Sequence, residues 1–255
     1  MKQLLVLSGG HPFEEEPFEE MIHGLGSWNV RHLRHPEAEI EVEKGAADDA
    51  EALLFYDMGG FTFSGSGVKT QPPSEGFKKA ILRRFRKGKG AVALHHALAG
   101  WAEWPAWADM LGGRFLYQAG NWKGNELSDS GYRHDVHYQA KIVGNHPVTK
   151  GLPKSFPVID ELYLCPIDEE SVTPLIRADY GFKQENFFSA ANAVSGNMFS
   201  RAGWTHPDGS NLVGWLKKIG NASFVYLQFG DGPLTYSNPN VRLAIANALN
   251  FTSGD

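Results

Sequence analysis

Hydrophobic residues along this chain cluster in short runs that lack the polar alternation of a half-exposed strand. The run from Gly90 to Leu94 is the clearest, because it is apolar throughout and ends abruptly at two histidines. Strands of a parallel sheet are covered on both faces and have this pattern. Similar runs predict three further strands, at Gln3–Leu7, Ala52–Tyr56 and Ser223–Phe229.

An amphipathic helix precedes the Gly90–Leu94 strand. Ser74 is placed to cap it, one face is apolar, and basic residues are predicted to cover the rest. The apolar residues are Phe77, Ile81, Leu82 and Phe85, and the basic ones are Lys78, Lys79, Arg83, Arg84, Arg86 and Lys87. Helix, glycine turn and strand then form half of a βαβ unit. Other helices are predicted at Pro12–Leu25, at Trp101–Leu111 with an interruption at Pro105, and at Asn240–Asn250.

The remaining segments predict a smaller antiparallel part. Alternating residues in Arg133–Val143 are typical of an antiparallel or edge strand. Phe61–Pro73 is predicted to be a flexible loop, and Asn121–Gly131 a second loop. The predicted fold is therefore α/β, a doubly wound, mostly parallel sheet with helices on both faces and a small antiparallel addition, in one domain over 1–255. Shorter strands are predicted at Val30–Leu33, Arg114–Gln118, Thr173–Ala178, Asn197–Trp204 and Asn211–Trp215.

Three of the predicted strands end in glycine or histidine. In a doubly wound sheet the carboxyl ends of the strands lie side by side and form the ligand-binding crevice. We therefore expect a single cleft there, with the ring of His95 exposed to it and His96 pointing to the other side of an extended backbone. The residues at these ends are Gly9, Gly10 and His11; Met58, Gly59 and Gly60; and His95 and His96.

Composition and charge argue against several classes of function. The net charge is −5 and no basic stripe occurs beyond one helix face, so no nucleic-acid partner is expected. Neither GxGxxG nor GxxxxGK[ST] is present, so no nucleotide cofactor is expected. The single cysteine, Cys165, fits a reducing compartment, and no apolar run approaches the ~20 residues of a membrane span. These features predict a cytoplasmic protein without a membrane partner.

Five segments of the chain form a recognisable pattern: the Gly-Gly-His11 strand end, GKGAVALHHA, NHPVTKGLP, DELY and FVYLQFGDGPLTYSNPNVRLAIANALNF. Together they resemble one known family, the trehalose utilisation (ThuA-like) proteins. They span most of the chain in the family's order, and the C-terminal segment and GAVALH are the more specific. The resemblance implies a ThuA-like domain with a class I glutamine amidotransferase-like, flavodoxin-related fold. It also implies a role in disaccharide catabolism through 3-keto-sugar intermediates, and hence a small sugar or keto-sugar ligand.

Two departures from the relatives affect the expected chemistry. The family usually has a histidine after the last strand, where this chain has Asp231. In the amidotransferase relatives a nucleophilic cysteine occupies the strand-to-helix turn that holds His95 and His96 here, and Cys165 lies far from that turn. Thiolate attack on glutamine is therefore not expected. A sugar isomerase, lyase or hydrolase is predicted instead.

The predicted chemistry is proton transfer next to a carbonyl group. His95 is the candidate base, and Glu161, which matches an acid of the family, or Asp231 returns the proton. A divalent metal such as zinc, held by His11, His95 and Glu161, would polarise the carbonyl. No HExxH motif or other diagnostic ligand spacing is present, so the sequence leaves the metal as an open alternative.

Further residues are predicted to contact the substrate, and each has a structural alternative. For Trp101 the alternative is packing in the core, because a spacing of three to Trp104 is typical of the buried face of a helix. His134 and His137 are three apart on a strand and are predicted to face opposite sides, one of them solvent. The rival function is a non-catalytic sugar-binding or regulatory module, and a homo-oligomer is left open. The predicted substrate contacts are His11, Gly10, Gly59, Gly60, His96, Trp101 and Tyr236.

Overall fold

The chain forms fourteen β-strands and eight α-helices in the described residues, 1–64 and 67–254, of this computed structural model. The strands are β1 (Lys2–Gly9), β2 (Trp28–Arg34), β3 (Ala52–Asp57), β4 (Phe61–Ser64), β5 (Gly67–Thr70), β6 (Ala91–Leu94), β7 (Gly120–Trp122), β8 (Asn125–Leu127), β9 (Gly131–Ile142), β10 (Ser155–Leu164), β11 (Val172–Ala178), β12 (Phe188–Ser189), β13 (Leu212–Ile219) and β14 (Ala222–Leu227). The helices are α1 (Glu15–His23), α2 (Glu37–Glu43), α3 (Ala46–Asp49), α4 (Glu75–Arg86), α5 (Pro105–Leu111), α6 (Ala190–Val194), α7 (Pro233–Tyr236) and α8 (Pro239–Ser253). Short 3₁₀ turns cover His95–Leu98, Pro147–Thr149, Glu169–Ser171 and Gln184–Asn186.

One ten-stranded sheet runs through the molecule in the order β10-β9-β11-β13-β14-β6-β3-β1-β2, with β12 paired to β9. The strands from β14 to β2 are parallel, whereas those from β10 to β14 are antiparallel. Two hairpins, β4 with β5 and β7 with β8, lie outside this sheet. The predicted doubly wound α/β fold is confirmed, and its antiparallel part continues the central sheet.

Helices cover both faces of the sheet, and each face has its own hydrophobic core. Phe18 of α1 and Leu249 of α8 are fully buried on one face. Phe77 of α4 and Trp107 of α5 are buried on the other. With both faces covered in this way, the carboxyl ends of the strands are the edge of the sheet at which side chains can form a site.

The structure corrects several predicted elements. The stretch Phe61–Pro73 contains the β4–β5 hairpin, and residues 65 and 66 lie outside the described residues. Asn121–Gly131 contains the β7–β8 hairpin, whereas Arg114–Gln118 and Asn197–Trp204 form no strand. Pro105 begins α5 instead of interrupting a longer helix, because a first helical residue needs no amide donor.

Helix α4 begins at the predicted cap, since the Ser74 hydroxyl accepts a hydrogen bond from the amide of Phe77. Two of its side chains differ from the prediction. Arg84 is fully buried, and its guanidinium donates to four backbone carbonyls around the start of β3 and β6, while Leu82 is 36% exposed. A buried guanidinium is tolerated here because its hydrogen bonds replace the lost water. The sequence pattern gives no sign of these carbonyl partners.

A β-bulge interrupts the pairing of β9 with β10. Two residues of β9, His134 and Asp135, stand opposite one residue of β10, Glu161. Asp135 has φ of 53°, a left-handed conformation that aspartate adopts more readily than most residues. A bulge bends its strand and redirects the side chains on it, and here it separates the outer part of β9 from its inner part. The pairs that flank it are Val136 with Asp160 and Arg133 with Leu162.

Candidate functional site

His95 occupies the turn from β6 into a 3₁₀ helix and has φ of 40°. Its backbone carbonyl accepts a hydrogen bond of 3.0 Å from the Tyr226 hydroxyl, which holds this unusual turn in place. The turn places both His95 and His96 in the interior, with exposures of 0% and 3%. Two predictions are therefore wrong: the ring of His95 is not exposed to a cleft, and His96 does not point away from the site.

The ring of His95 is fixed at both nitrogens. Nδ1 donates a hydrogen bond of 2.5 Å to the Gln228 carbonyl. Nε2 lies 3.0 Å from Glu161 Oε2, 2.8 Å from the Tyr163 hydroxyl and 3.7 Å from Asp231 Oδ1. Burial by itself lowers the pKa of His95, but the hydrogen bond to Glu161 and the nearby carboxylates outweigh it and raise the pKa to about 9. The raised pKa favours the imidazolium form of His95 at neutral pH.

Glu161 and His134 come from the two sides of the β9–β10 bulge. His134 Nδ1 lies 3.6 Å from Glu161 Oε1 and 3.5 Å from Asp231 Oδ2. The Asp231 carboxylate, followed by the charge of Glu161, raises the pKa of His134 against the effect of partial burial. The side chain of Glu161 is only 7% exposed, whereas that of His134 is 36% exposed. His134 is therefore the titratable group of this pair with more access to solvent.

Asp231 lies in the loop after β14, and the neighbouring Asp160 holds that loop. The carboxylate of Asp160 accepts hydrogen bonds from the amides of Gly230, at 3.0 Å, and Asp231, at 2.9 Å. Burial raises the pKa of Asp160 to about 6, although the charge of His95 and these amides oppose the shift. Burial also acts to raise the pKa of Asp231, but His134 and His95 outweigh it and the pKa is lowered. Asp231 is therefore a carboxylate at neutral pH.

His96 is buried without a hydrogen-bond partner at either ring nitrogen. Its ring stacks on His11 at 3.8 Å and meets the ring of His95 edge-on at 4.4 Å. Burial, helped by the charges of His95 and His11, lowers the pKa of His96 well below the ordinary value. A neutral imidazole with two unsatisfied nitrogens in the interior is unusual, because buried polar atoms are normally paired.

Four residues each offer one ligand atom, and these four atoms all lie within 4.8 Å of one another. The residues are His95, His96, Glu161 and Asp231. Two imidazoles and two carboxylates form a donor set that suits a divalent cation such as zinc. The cluster could therefore hold a metal ion. Of the predicted ligands, His95 and Glu161 belong to it, while His11 lies beside it with Nδ1 2.6 Å from the carbonyl of Pro12.

A cavity of about 360 Å³ lies next to this cluster. Glu161 and His134 line it together with His11, so these groups face the space that a ligand would occupy. Its walls are otherwise largely aromatic or apolar, which suits the C–H faces of a sugar ring more than an exposed ionic group. The other lining residues are Pro12, Phe63, Phe115, Tyr117, Tyr132, Tyr163, Ala190, Ala193, Val194 and Met198.

The other predicted substrate contacts do not line this cavity. Gly10, with φ of 80°, packs so closely that a Cβ would stand 2.1 Å from the Met58 carbonyl. Trp101 is buried against Gly59, where a Cβ would stand 2.2 Å from its indole ring, and it also covers Gly60. The hydroxyl of Tyr236 lies 2.6 Å from that of Tyr56, which donates to the Gly230 carbonyl. The glycines allow strand ends to approach one another, and Tyr236 supports the loop of Asp231.

Sequence reasoning missed several residues of the site. The sequence predicted only that His134 and His137 face opposite sides, and it left open which of them faces solvent. In the structure Tyr132 and Val136, which flank His134 in β9, pack into the cores on opposite faces of the sheet, because the bulge lies between them. Tyr163 lies in the DELY segment, yet a tyrosine in a strand is most often core. Gln228 contributes a backbone carbonyl, and such a contact has no sequence signal. The pairing of His134 with Glu161 depends on the bulge, which the sequence did not reveal.

Comparison with known proteins gives the family and the fold. A family model described as trehalose utilisation, ThuA, matches residues 4–252. No functionally curated protein matches the chain. No helix in residues 1–64 and 67–254 is long and apolar enough to cross a membrane.

Solved structures with low sequence identity share this fold. A ThuA-like protein from Parabacteroides merdae is 12% identical, with 99% of this chain and 90% of that chain covered and a TM-score of 0.68. A ThuA-like protein from Bacteroides uniformis is 16% identical, with coverages of 98% and 91% and a TM-score of 0.63. A protein from Thermoplasma acidophilum described as a GMP synthase component is 8% identical, with coverages of 99% and 94% and a TM-score of 0.51.

At such identities these likenesses concern the fold alone. They agree with the predicted doubly wound α/β fold. The match of the family model over almost the whole length is the stronger finding, and it connects the chain to carbohydrate metabolism. The chain belongs to the trehalose utilisation (ThuA) family.

Proposed function

We propose that this protein is an enzyme of carbohydrate catabolism that moves protons next to the carbonyl of a keto-sugar or keto-disaccharide. The observation that carries the proposal is the meeting of Glu161, His134, Asp231 and His95 beside one cavity. Carboxylates and imidazoles at hydrogen-bonding distance, with pKa values moved in opposite directions, are the groups that acid–base catalysis uses. Family membership supports the substrate class, and we propose a cytoplasmic location.

Glu161 is the group best placed to act as the base. Its carboxylate lines the cavity, and its Oε2 is hydrogen-bonded to His95, which fixes its orientation. The sequence suggested His95 as the base, but its Nε2 is enclosed by Glu161 and Tyr163. We therefore assign His95 the role of positioning Glu161. Asp231 balances the positive charge of His95.

His134 is the group that we assign to return the proton. It lies between Glu161 and Asp231, is more exposed than either and has a raised pKa. In the proposed reaction a C–H bond next to the ketone breaks, its proton goes to Glu161, and its electron pair forms an enolate. A proton from His134 then reaches either the enolate oxygen, which leads to isomerisation, or a departing glycosidic oxygen, which completes elimination.

The residues present fit a divalent cation. His96 is neutral and buried with no partner for either nitrogen, and a cation within the four-residue cluster would give it one. His95, His96, Glu161 and Asp231 would hold the ion. Bound there, a metal would supply Lewis-acid polarisation of the substrate carbonyl. Glu161 would then be a metal ligand, and another group that lines the cavity would have to take the proton. His134, with Nδ1 3.6 Å from Glu161 Oε1, is the group that we assign to this role.

The test is solvent-proton exchange and turnover on a panel of 3-keto-disaccharides, with and without added zinc. The parent chain in D₂O should incorporate deuterium at the carbon next to the ketone. Glu161→Gln should lower the rate by roughly 100- to 10,000-fold, the usual effect of removing an acid–base group. Glu170→Gln is the matched control, because Glu170 is exposed and lies away from the cavity.

Two outcomes would contradict the proposal. Equal rates for Glu161→Gln and the parent would show that Glu161 is not the base. Binding of a keto-sugar, seen as a raised melting temperature, without exchange or turnover would instead favour the sugar-binding or regulatory module.

A further inference from the structure

A second cavity of about 420 Å³ adjoins the first one. Phe115, Tyr117 and Val194 line both, so the second space lies directly beside the cavity that Glu161 faces. The second cavity differs in its polar lining, which includes Arg114, Gln118, Thr70 and Glu103. It therefore provides hydrogen-bonding groups that the first cavity offers only at its catalytic end.

Arg114 is the distinctive residue of this second cavity. Its guanidinium donates to two backbone carbonyls, those of Ala102 at 2.8 Å and Asn121 at 3.1 Å. Among the residues that the structure describes, none forms an ion pair with it. Burial lowers the pKa of Arg114, and only the more distant Asp109 opposes this effect. A half-buried cation with three further N–H donors and no counterion is set up to receive an anion.

Glu103 does not neutralise Arg114. It is exposed, and its Oε1 accepts a hydrogen bond of 2.5 Å from the Thr70 hydroxyl. Glu103 and Arg114 are the two charged residues among the described residues that line the cavity. Among the described residues, the guanidinium is thus not paired with the carboxylate that lines the same cavity.

We propose that Arg114 binds a carboxylate or phosphate group at the remote end of the substrate, which makes the ligand an acidic sugar. This inference rests on the proposed function for the place of the reacting end, which lies beside Glu161. A planar guanidinium pairs with either anion through two parallel hydrogen bonds. Neutral sugars of the same size lack this contact and should bind more weakly.

Calorimetric titration of the full-length chain tests the proposal. The probes are glucuronate, glucose 6-phosphate, inorganic phosphate and glucose, and the Glu161→Gln background keeps catalysis out of the measurement. The acidic sugars should bind at least tenfold more tightly than glucose, and Arg114→Gln should weaken them by roughly ten- to a hundredfold. Comparison of glucuronate with glucose 6-phosphate decides between carboxylate and phosphate.

Two further variants separate recognition from folding. Gln118→Glu places a negative charge in the cavity and leaves Arg114 and its carbonyl contacts unchanged, so it should weaken acidic ligands while glucose binds as before. Arg86→Gln removes an exposed cation far from the cavity and should change nothing. If Arg114→Gln does not fold, Gln118→Glu provides the result.

The proposal is overturned if acidic sugars bind no better than glucose, or if Gln118→Glu and a folded Arg114→Gln bind them like the parent. In that case Arg114 only joins two loops through their carbonyls. Failure of keto-sugar turnover with intact anion binding would instead reject the acid–base function and leave this site standing.

Discussion

The parallel and antiparallel halves of the sheet contribute to the site in different ways. The parallel half supplies His95 and His96 from the end of β6 and Asp231 from the loop after β14, at the positions where such sheets place ligands. The antiparallel half supplies His134 and Glu161 from within paired strands, at a bulge. Residues at strand ends are brought together by topology, whereas residues within strands are brought together by register.

The two halves also differ in how close their site residues lie to the cavity. His95 and His96 are buried behind the cavity, while Glu161 and His134 line it. The parallel half therefore provides the inner, charge-balancing part of the site. The antiparallel half presents Glu161 and His134 to a substrate, and His11, after β1, is the histidine that the parallel half adds to the cavity wall.

Deletion of Asp135 is the strongest test of the role of register. Without the bulge, one segment of β9 must shift by a residue, and each of its side chains then faces the opposite side. We expect keto-sugar turnover to fall by about 100-fold or more, since misplacement of a catalytic group by about 1 Å can have that effect. The measurement is the rate of turnover beside a thermal melt.

Asp135→Gly is the matched control, because glycine adopts the positive φ of 53° without strain and keeps the bulge. It should retain turnover. Unchanged activity of the folded deletion variant would show that register does not position His134.

Leu94→Ala tests the parallel half through its stability. Leu94 is 1% exposed in β6, directly before His95, and its truncation removes packing and leaves a cavity. We expect a loss of about 2–5 kcal/mol in the free energy of unfolding by urea. Leu82→Ala in α4, where the side chain is 36% exposed, should change it by about 0.5 kcal/mol or less. Equal effects of the two would mean that β6 is not a core strand.

Zinc binding tests whether both halves supply ligands to one cation. Zinc at about 100 times its dissociation constant should stabilise the chain by about 2.7 kcal/mol, seen as a higher melting temperature. His96→Ala, from the parallel half, and Glu161→Gln, from the antiparallel half, should each reduce the shift. The control is His23→Ala, since His23 is exposed on α1. A shift that persists in both site variants would place the ion elsewhere.

Cys165 should show the smallest effect, since it follows β10 and lies outside both the cluster and the cavity. It is 3% exposed, and burial raises the pKa of its thiol to about 12. Cys165→Ala should keep the turnover of the parent. Iodoacetamide at pH 8 should label the thiol only after the chain unfolds, because the thiolate is the reactive form. Rapid labelling of the native protein, or loss of turnover in a folded variant, would contradict this.

The amino-acid pattern was enough to define the parallel half of the fold and the residues at its edge. Apolar runs such as Gly90–Leu94 identify buried strands because parallel strands are covered on both faces. His95 and Asp231 follow such runs, and their convergence needs only the rule that strand ends share an edge. The family resemblance extended this to Glu161.

The orientation and the partners of these groups depend on the packed, three-dimensional chain. The left-handed turn at His95 buries both histidines, and the bulge at Asp135 brings His134 to Glu161. Neither follows from hydrophobic periodicity, because each depends on one backbone residue whose conformation is fixed by its packed surroundings. The hydrogen bonds of His95 to the Gln228 carbonyl and of Arg84 to four carbonyls join segments distant in sequence, and backbone acceptors are the same at every residue.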